Sequence, residues 1–228
     1  MKSNYTHVAI LIDKSGSMNE IKSDVIGGFN QLIQDQKNIP GELTVTLVQF
    51  DENMGLQYDV INDFSPINEV VELNESNYIP RGSTPLNDAF ARLINETGSK
   101  LANIEESKRP EKVLIVSITD GEENASKEHT KQSLKDLIEH QEQKYNWKFM
   151  YIGANQDSYD EGGSRGITAA YNFSADSKGT KKMSKVFSAT LASYRSPGVF
   201  AQEADLSKIL AEESKKADLE EVQEDQKS

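Results

Sequence analysis

Two apolar runs that each end in a carboxylate constrain this chain more than anything else in it. Val8 to Ile12 (VAILI) leads into Asp13, and Lys112 to Thr119 (KVLIVSIT) leads into Asp120. Both runs are continuous rather than alternating, so each reads as a strand buried on both faces. Such strands need helices above and below them, and the sequence between them provides helical patterns. Met18, Ile21, Val25, Phe29, Leu32 and Ile33 recur at helical spacing. A second helix is expected from about Pro85 to Asn103, with Thr84 as its cap and Pro85 at its first position. A third, polar and amphipathic, is expected from about Lys127 to Lys144.

The remaining segments fit the same plan. Leu43 to Phe50 is β-rich, and a strand over about Leu56 to Asn62 follows the short turn at Asp51 to Gly55. That spacing predicts an antiparallel hairpin. Further strands are expected over Trp147 to Ala154 and Ala170 to Phe173, with helices around Ser158 to Gly163 and Gly179 to Tyr194. The expected fold is α/β: a doubly wound, mainly parallel central sheet with one antiparallel edge strand and helices on both faces. One domain is expected over residues 1–198. From 199 to 228 the chain becomes acidic and poor in aromatics, which predicts a tail, partly helical or disordered, with Leu206, Ile209 and Leu210 seating one or two turns.

Charge and composition exclude several function classes. A net charge of −12 argues against nonspecific nucleic-acid binding, because phosphates would repel it. The chain has no cysteine, which excludes disulfides, thiolate metal sites and cysteine nucleophiles. The apolar run near the N-terminus is too short for a signal peptide, and nothing later approaches a membrane span. A cytoplasmic protein with no membrane partner is the expectation.

The stretch LIDKSGSMNE places Asp13, Ser15 and Ser17 at alternate positions where a buried strand gives way to a helix. Helix capping needs one such residue, not three. In open parallel sheets, ligands bind beyond the carboxyl ends of the strands. If the strands ending at Asp13 and Asp120 are neighbours, their carboxylates converge at that edge, where Ser15, Ser17 and Thr84 can add neutral oxygens. An all-oxygen set suits a hard divalent ion such as Mg²⁺, with Mn²⁺ or Ca²⁺ as alternatives. Two carboxylates only balance the ion's charge, so an Asp or Glu from a partner protein is a natural further ligand.

Asp13-Lys14-Ser15-Gly16-Ser17-Met18, Thr84 in GSTPL, and Thr119-Asp120-Gly121 resemble the metal-ion-dependent adhesion site of von Willebrand factor A domains, over roughly residues 5 to 195. The resemblance implies that Asp13, Ser15 and Ser17 form a first metal loop, Thr84 a second and Asp120 a third. It also implies divalent-cation-dependent binding of proteins. Stand-alone members, bacterial and bacteriophage ones among them, commonly work in multiprotein assemblies, often with AAA+ ATPases, so an intracellular adaptor or regulator is expected. Lys14 and Arg81 flank the expected metal face and are candidates to meet a partner's carboxylate, although ordinary exposed basic residues are the simpler reading. Glu122, Glu123 and Asn124, which follow the Asp120 loop, are candidates to tune its approach or to hold a second ion, although solvated loop charges are the simpler reading.

Two other readings remain open from sequence. A Mg²⁺-dependent phosphohydrolase could use Asp13 as nucleophile, but the dehalogenase-type phosphatases need an acid two residues later, and Ser15 stands there. A scaffold whose metal site is not used for binding is the other. None of His7, His129 and His140 maps near Ser15 or Ser17, so no catalytic role is expected for them. The glycine-rich segment Gly153 to Ile167 lacks any P-loop or GxGxxG pattern and reads only as a loop added to the same sheet edge.

Overall fold

The structure is a computed structural model and describes residues 1–154 and 157–225. Asn155 and Gln156 of the glycine-rich segment, and the last three residues of the acidic tail, lie outside the described residues. Among the described residues, six strands and six α-helices follow one another as β1 (Lys2–Asp13), α1 (Lys22–Lys37), β2 (Glu42–Glu52), β3 (Leu56–Pro66), α2 (Leu86–Ala102), β4 (Pro110–Thr119), α3 (Lys131–Tyr145), β5 (Lys148–Ala154), α4 (Ser158–Gly163), β6 (Ala169–Phe173), α5 (Ser177–Arg195) and α6 (Leu206–Asp225).

The strands form one sheet in the order β3-β2-β1-β4-β5-β6. β1 runs parallel to both β2 and β4, β5 and β6 continue the parallel set, and β3 pairs antiparallel with β2 at the edge. This is the expected doubly wound sheet with one antiparallel edge strand. Because β1 and β4 are adjacent, with Ile12 opposite Ile118, the two runs ending at Asp13 and Asp120 finish side by side. The strand order reverses between them, which leaves a crevice at their carboxyl ends.

Alternation along the two central strands divides the core in two. Val8, Ile10 and Ile12 of β1, with Leu114, Val116 and Ile118 of β4, pack on one face with Val25, Phe29, Leu32 and Ile33 of α1 and Met183, Phe187 and Leu191 of α5. Ala9 and Leu11, with Val113 and Ile115, pack on the other face with Phe90, Leu93 and Ile94 of α2 and Leu134 and Ile138 of α3. Ser117 of β4 apart, the residues of these two strand cores are apolar on both faces, which is why neither showed a period of two.

Several boundaries differ from the sequence expectation for identifiable reasons. α3 begins at Lys131 rather than near Lys127, because the amides of Lys127, Glu128 and His129 donate to the Asp88 carboxylate at 2.7, 3.1 and 2.7 Å. Thr130 then caps the helix by accepting from Ser133 N at 3.1 Å. α2 begins at Leu86 with Pro85 in the capping position, and Thr84 makes no side-chain cap bond. Thr84 is therefore not a helix cap.

The largest difference is in the acidic C-terminal segment. Instead of one or two turns, α6 runs from Leu206 to Asp225 and lies on α5 and β6. Leu206, Leu210 and Ala217 are buried at helical spacing, and Ser193 Oγ donates to Glu213 at 3.0 Å. Beyond them, Lys178, Lys182 and Lys185 of α5 pair with Glu221, Asp218 and Glu220. Among the described residues, no helix is long and apolar enough to cross a membrane.

Candidate metal centre

The carboxyl edge of β1 and β4 gathers the side chains that the strand ends and loops supply. Asp13 is wholly buried as the last residue of β1, and its position is set from three sides. Its Oδ1 accepts from Ser15 N at 2.6 Å, its Oδ2 accepts from Thr119 Oγ1 at 2.6 Å, and its backbone carbonyl accepts from the Tyr78 hydroxyl at 2.7 Å. Ser15 Oγ lies 3.1 Å from Ser17 Oγ, and Ser17 Oγ donates to Asp120 Oδ1 at 2.6 Å. A polar chain thus links the loop after β1 to the loop after β4.

Thr84 completes the arrangement from a third loop. Its amide donates to Asn124 Oδ1 at 2.9 Å, and its carbonyl accepts from Asn124 N at 3.2 Å, so Asn124 clasps it against the Asp120 loop. The convergence is clearest at Gly121. A Cβ placed there would lie 3.1 Å from Thr84 Oγ1, 3.7 Å from Ser17 Oγ and 3.8 Å from Asp13 Oδ2. Three oxygens from two segments, the end of β1 with its following loop and the Thr84 loop, therefore approach one point beside the Asp120 loop that a side chain at Gly121 would otherwise fill, and Ser15 and Asp120 adjoin them.

The electrostatics of the pair are unfavourable as they stand. Burial pushes the Asp13 carboxyl up to about 7, against the pull of its bonds from Thr119 and Ser15, and the Asp120 charge adds to the rise. Burial also raises Asp120, with its bond from Ser17 opposing and the Glu20 charge reinforcing. Tyr78 is raised well above its ordinary value, first by burial and then by the charges of Asp13 and Asp120. Two carboxylates that are costly to ionise, set among neutral hydroxyls, form a donor set that a hard divalent cation would relieve. The residues present fit such an ion by chemistry and by the space at Gly121. No group of three or more His, Cys, Asp or Glu side chains gathers as a ligand cluster among the described residues, so the set is two carboxylates plus hydroxyls.

The flanking candidates are placed very differently from one another. Lys14 is buried at 4% exposure, because its ammonium lies 3.2 Å from the fully buried Asp51 carboxylate and bonds to Asp59 on β3. It braces the sheet edge rather than facing outward. Arg81 is half-exposed, with Nε donating to Asp51 Oδ2 at 3.1 Å. Glu122 is exposed, whereas Glu123 is half-buried and turned inward. The Glu123 oxygens accept from Asn87 N at 2.7 Å, Ala125 N at 2.9 Å, Ser126 N at 2.8 Å and Ser126 Oγ at 2.7 Å. Glu123 is a loop staple joined to the start of α2, not a free loop charge.

Sequence reasoning quoted Thr119 within a motif and named Asn124 as a loop candidate without giving either a supporting role, and it did not single out Tyr78 or Asp51. Thr119 carried a signal in being the last strand residue before Asp120. Tyr78 and Asp51 reach the site only through the fold, from 65 and 30 residues away from the groups they hold.

Comparison with known proteins agrees with this architecture. The family model for the von Willebrand factor type A domain matches residues 7–186. Among solved structures, a von Willebrand factor type A protein from Catenulispora acidiphila is similar at 13% identity and a TM-score of 0.53, covering 82% of this chain and 42% of its own. Proximal thread matrix protein 1 from the mussel byssus is similar in two determinations. One gives 13% identity and a TM-score of 0.56 over 82% of this chain and 46% of its own, the other 14% and 0.54 over 81% and 45%. The chain spans less than half the length of these structures, and at such identities the likeness shows the fold alone. A search of curated protein sequences returned no match. The family match covers most of the chain, and the chain belongs to the von Willebrand factor type A domain family.

Proposed function

We propose that this protein is a divalent-cation-dependent protein-binding module, an adaptor or regulator that captures an Asp or Glu side chain of a partner. Domains of this family typically mediate protein interactions. The observation that carries the reading is the convergence of Thr84, Ser17 and Asp13 oxygens on the space beside Gly121.

Asp13, Ser15, Ser17, Thr84 and Asp120 would hold the ion, with Mg²⁺ favoured by the all-oxygen set and Mn²⁺ or Ca²⁺ as alternatives. Bound there, the cation would supply electrostatic attraction for an incoming carboxylate oxygen. The chain's own residues prepare the ligands. Thr119 and the Ser15 amide orient the Asp13 carboxylate, Tyr78 fixes the end of β1, and Asn124 holds Thr84 beside the Asp120 loop. A component of a larger intracellular assembly, such as one built on an AAA+ ATPase, is the kind of partner this reading favours.

The test is a pull-down in three conditions: wild type with Mg²⁺, wild type with chelator, and Asp13→Ala with Mg²⁺. A partner retained only in the first supports the reading. A partner retained equally in all three removes the metal edge from the interaction.

A further inference from the structure

Arg81 stands on the rim of the metal centre in a way that no flexible surface arginine does. Its backbone amide donates to the Lys14 carbonyl at 2.6 Å, and the next residue's carbonyl accepts from Gly16 N at 3.1 Å. Ser83 and Glu52 exchange a pair of backbone bonds at 3.0 and 3.2 Å, which ties the same loop to the end of β2. Gly82 has φ of +68°, and a Cβ there would meet Glu52 O at 2.1 Å, so this close approach needs glycine. The loop carrying Arg81 is therefore locked to the loop carrying Ser15 and Ser17 and to the sheet edge.

The side chain is anchored as well. Among the described residues, Asp51, fully buried, takes Arg81 through Nε at 3.1 Å and no bond to either Nη is found. Lys14 reaches the other oxygen of the same carboxylate at 3.2 Å. The buried acid thus acts as a hinge pin for the guanidinium, while the side chain remains 48% exposed. With Nε engaged, the end of the guanidinium that carries both Nη groups is left for an external anion. Two parallel N–H donors in a fixed fork match a carboxylate bidentately. Lys14 and Arg81 together balance Asp51 and Asp59, so this rim offers geometry more than net charge.

Resting on the proposed capture of one acidic side chain at the metal, we propose that the site reads a pair of acidic residues in one peptide segment. The metal takes the first carboxylate, and the Nη edge of Arg81 takes the second. A phosphorylated side chain could also meet Arg81, but the recognition unit inferred here is two carboxylates close together in an extended segment.

The experiment selects random dodecapeptides on the wild-type protein with Mg²⁺ and elutes them with chelator. The eluted sequences are resynthesised with each Asp or Glu changed in turn to its amide. Binding is then measured to wild type, Arg81→Gln and Arg81→Lys, with Mg²⁺ titration and melting temperature recorded for each variant. The expected result is enrichment of two neighbouring acids. Arg81→Gln should weaken the two-acid peptide about tenfold or more, through loss of the charge-assisted bidentate contact, to the level of its one-acid form on wild type. Arg81→Lys, which lacks the fork, should recover only part of that loss. Peptides with a single acid that bind as well as two-acid ones, or equal weakening of both forms by Arg81→Gln, would overturn the pairing while leaving metal-dependent capture standing. Absence of any chelator-eluted peptide would instead overturn the capture itself, and the pairing with it.

Discussion

His7 and Asp51 show how single buried residues set the conditions this fold tolerates. His7 is wholly buried, with Nδ1 3.0 Å from Thr44 Oγ1 and its ring stacked on Phe64 at 3.7 Å between centroids. Burial, with a smaller push from the Lys100 charge, lowers its pKa to about 3. An unfolded histidine titrates near its ordinary value of 6.5. Between those values the unfolded chain binds a proton that the folded chain does not. Stability is therefore fully present above about 6.5 and falls with pH, by about 1.4 kcal/mol per unit, until about 3. His7→Phe, which keeps the stack, should flatten that part of the pH dependence in denaturant titrations. An unchanged slope would place the acid sensitivity elsewhere. Asp51 holds two cations from a fully buried position, so Asp51→Ala should cost about 3–5 kcal/mol by leaving the Lys14 ammonium short of a partner. A loss below about 1 kcal/mol, typical of surface pairs, would show that the pair is effectively solvated.

At the scale of elements, the acidic C-terminal helix is the one whose contribution needs measuring. α6 buries Leu206 and Leu210 against the core shared with α5 and β6. Each such side chain is worth about 1.5–3 kcal/mol when fully buried, offset by the entropy of ordering the helix. Its lysine–carboxylate pairs with α5 are exposed or partly exposed and add little. Deleting the chain from Glu203 should therefore lower the melting temperature but leave one cooperative unfolding transition. Loss of cooperativity would make α6 part of the folding unit rather than a cover upon it. The α3 N-terminus offers a second check. Asp88→Ala removes the acceptor for three amides at the turn before Thr130 and should raise hydrogen exchange at residues 127–129 ahead of the helix itself.

For the molecule as a whole, the proposed cation and the sheet topology make one joint prediction. An ion that binds only the folded state at about a hundredfold its Kd stabilises it by about 2.7 kcal/mol. For a domain of this size that corresponds to roughly 5–10 °C in melting temperature. Mg²⁺ should raise the wild-type melting temperature by an amount of that order, and Asp13→Ala or Asp120→Ala should abolish the response while remaining folded. A variant that still responds like wild type would remove these residues from the ion's ligands. The prediction is joint because Asp13 and Asp120 are 107 residues apart in sequence and meet only because β1 and β4 are neighbours.

The sequence by itself determined the fold class, most of the strands and helices, and the residues of the candidate site. Continuous apolar runs, helical periodicity and the DxSxS, Thr84 and TDG segments are local signals, carried by residues close in the chain. What only the tertiary structure decided is what surrounds them. Lys14 and Arg81 looked equivalent as exposed cations, yet one is buried against Asp51 and Asp59 and the other is pinned at the rim. Glu123 looked like a loop charge, yet the start of α2 turns it inward. The acidic end of the chain looked like a tail because its charges dominate its composition, yet Leu206 and Leu210, with Ala217, spaced for one face, seat it on α5 and β6. In each case the deciding partner lies on a different element, and burial against that partner, not the residue's own character, sets what the side chain does.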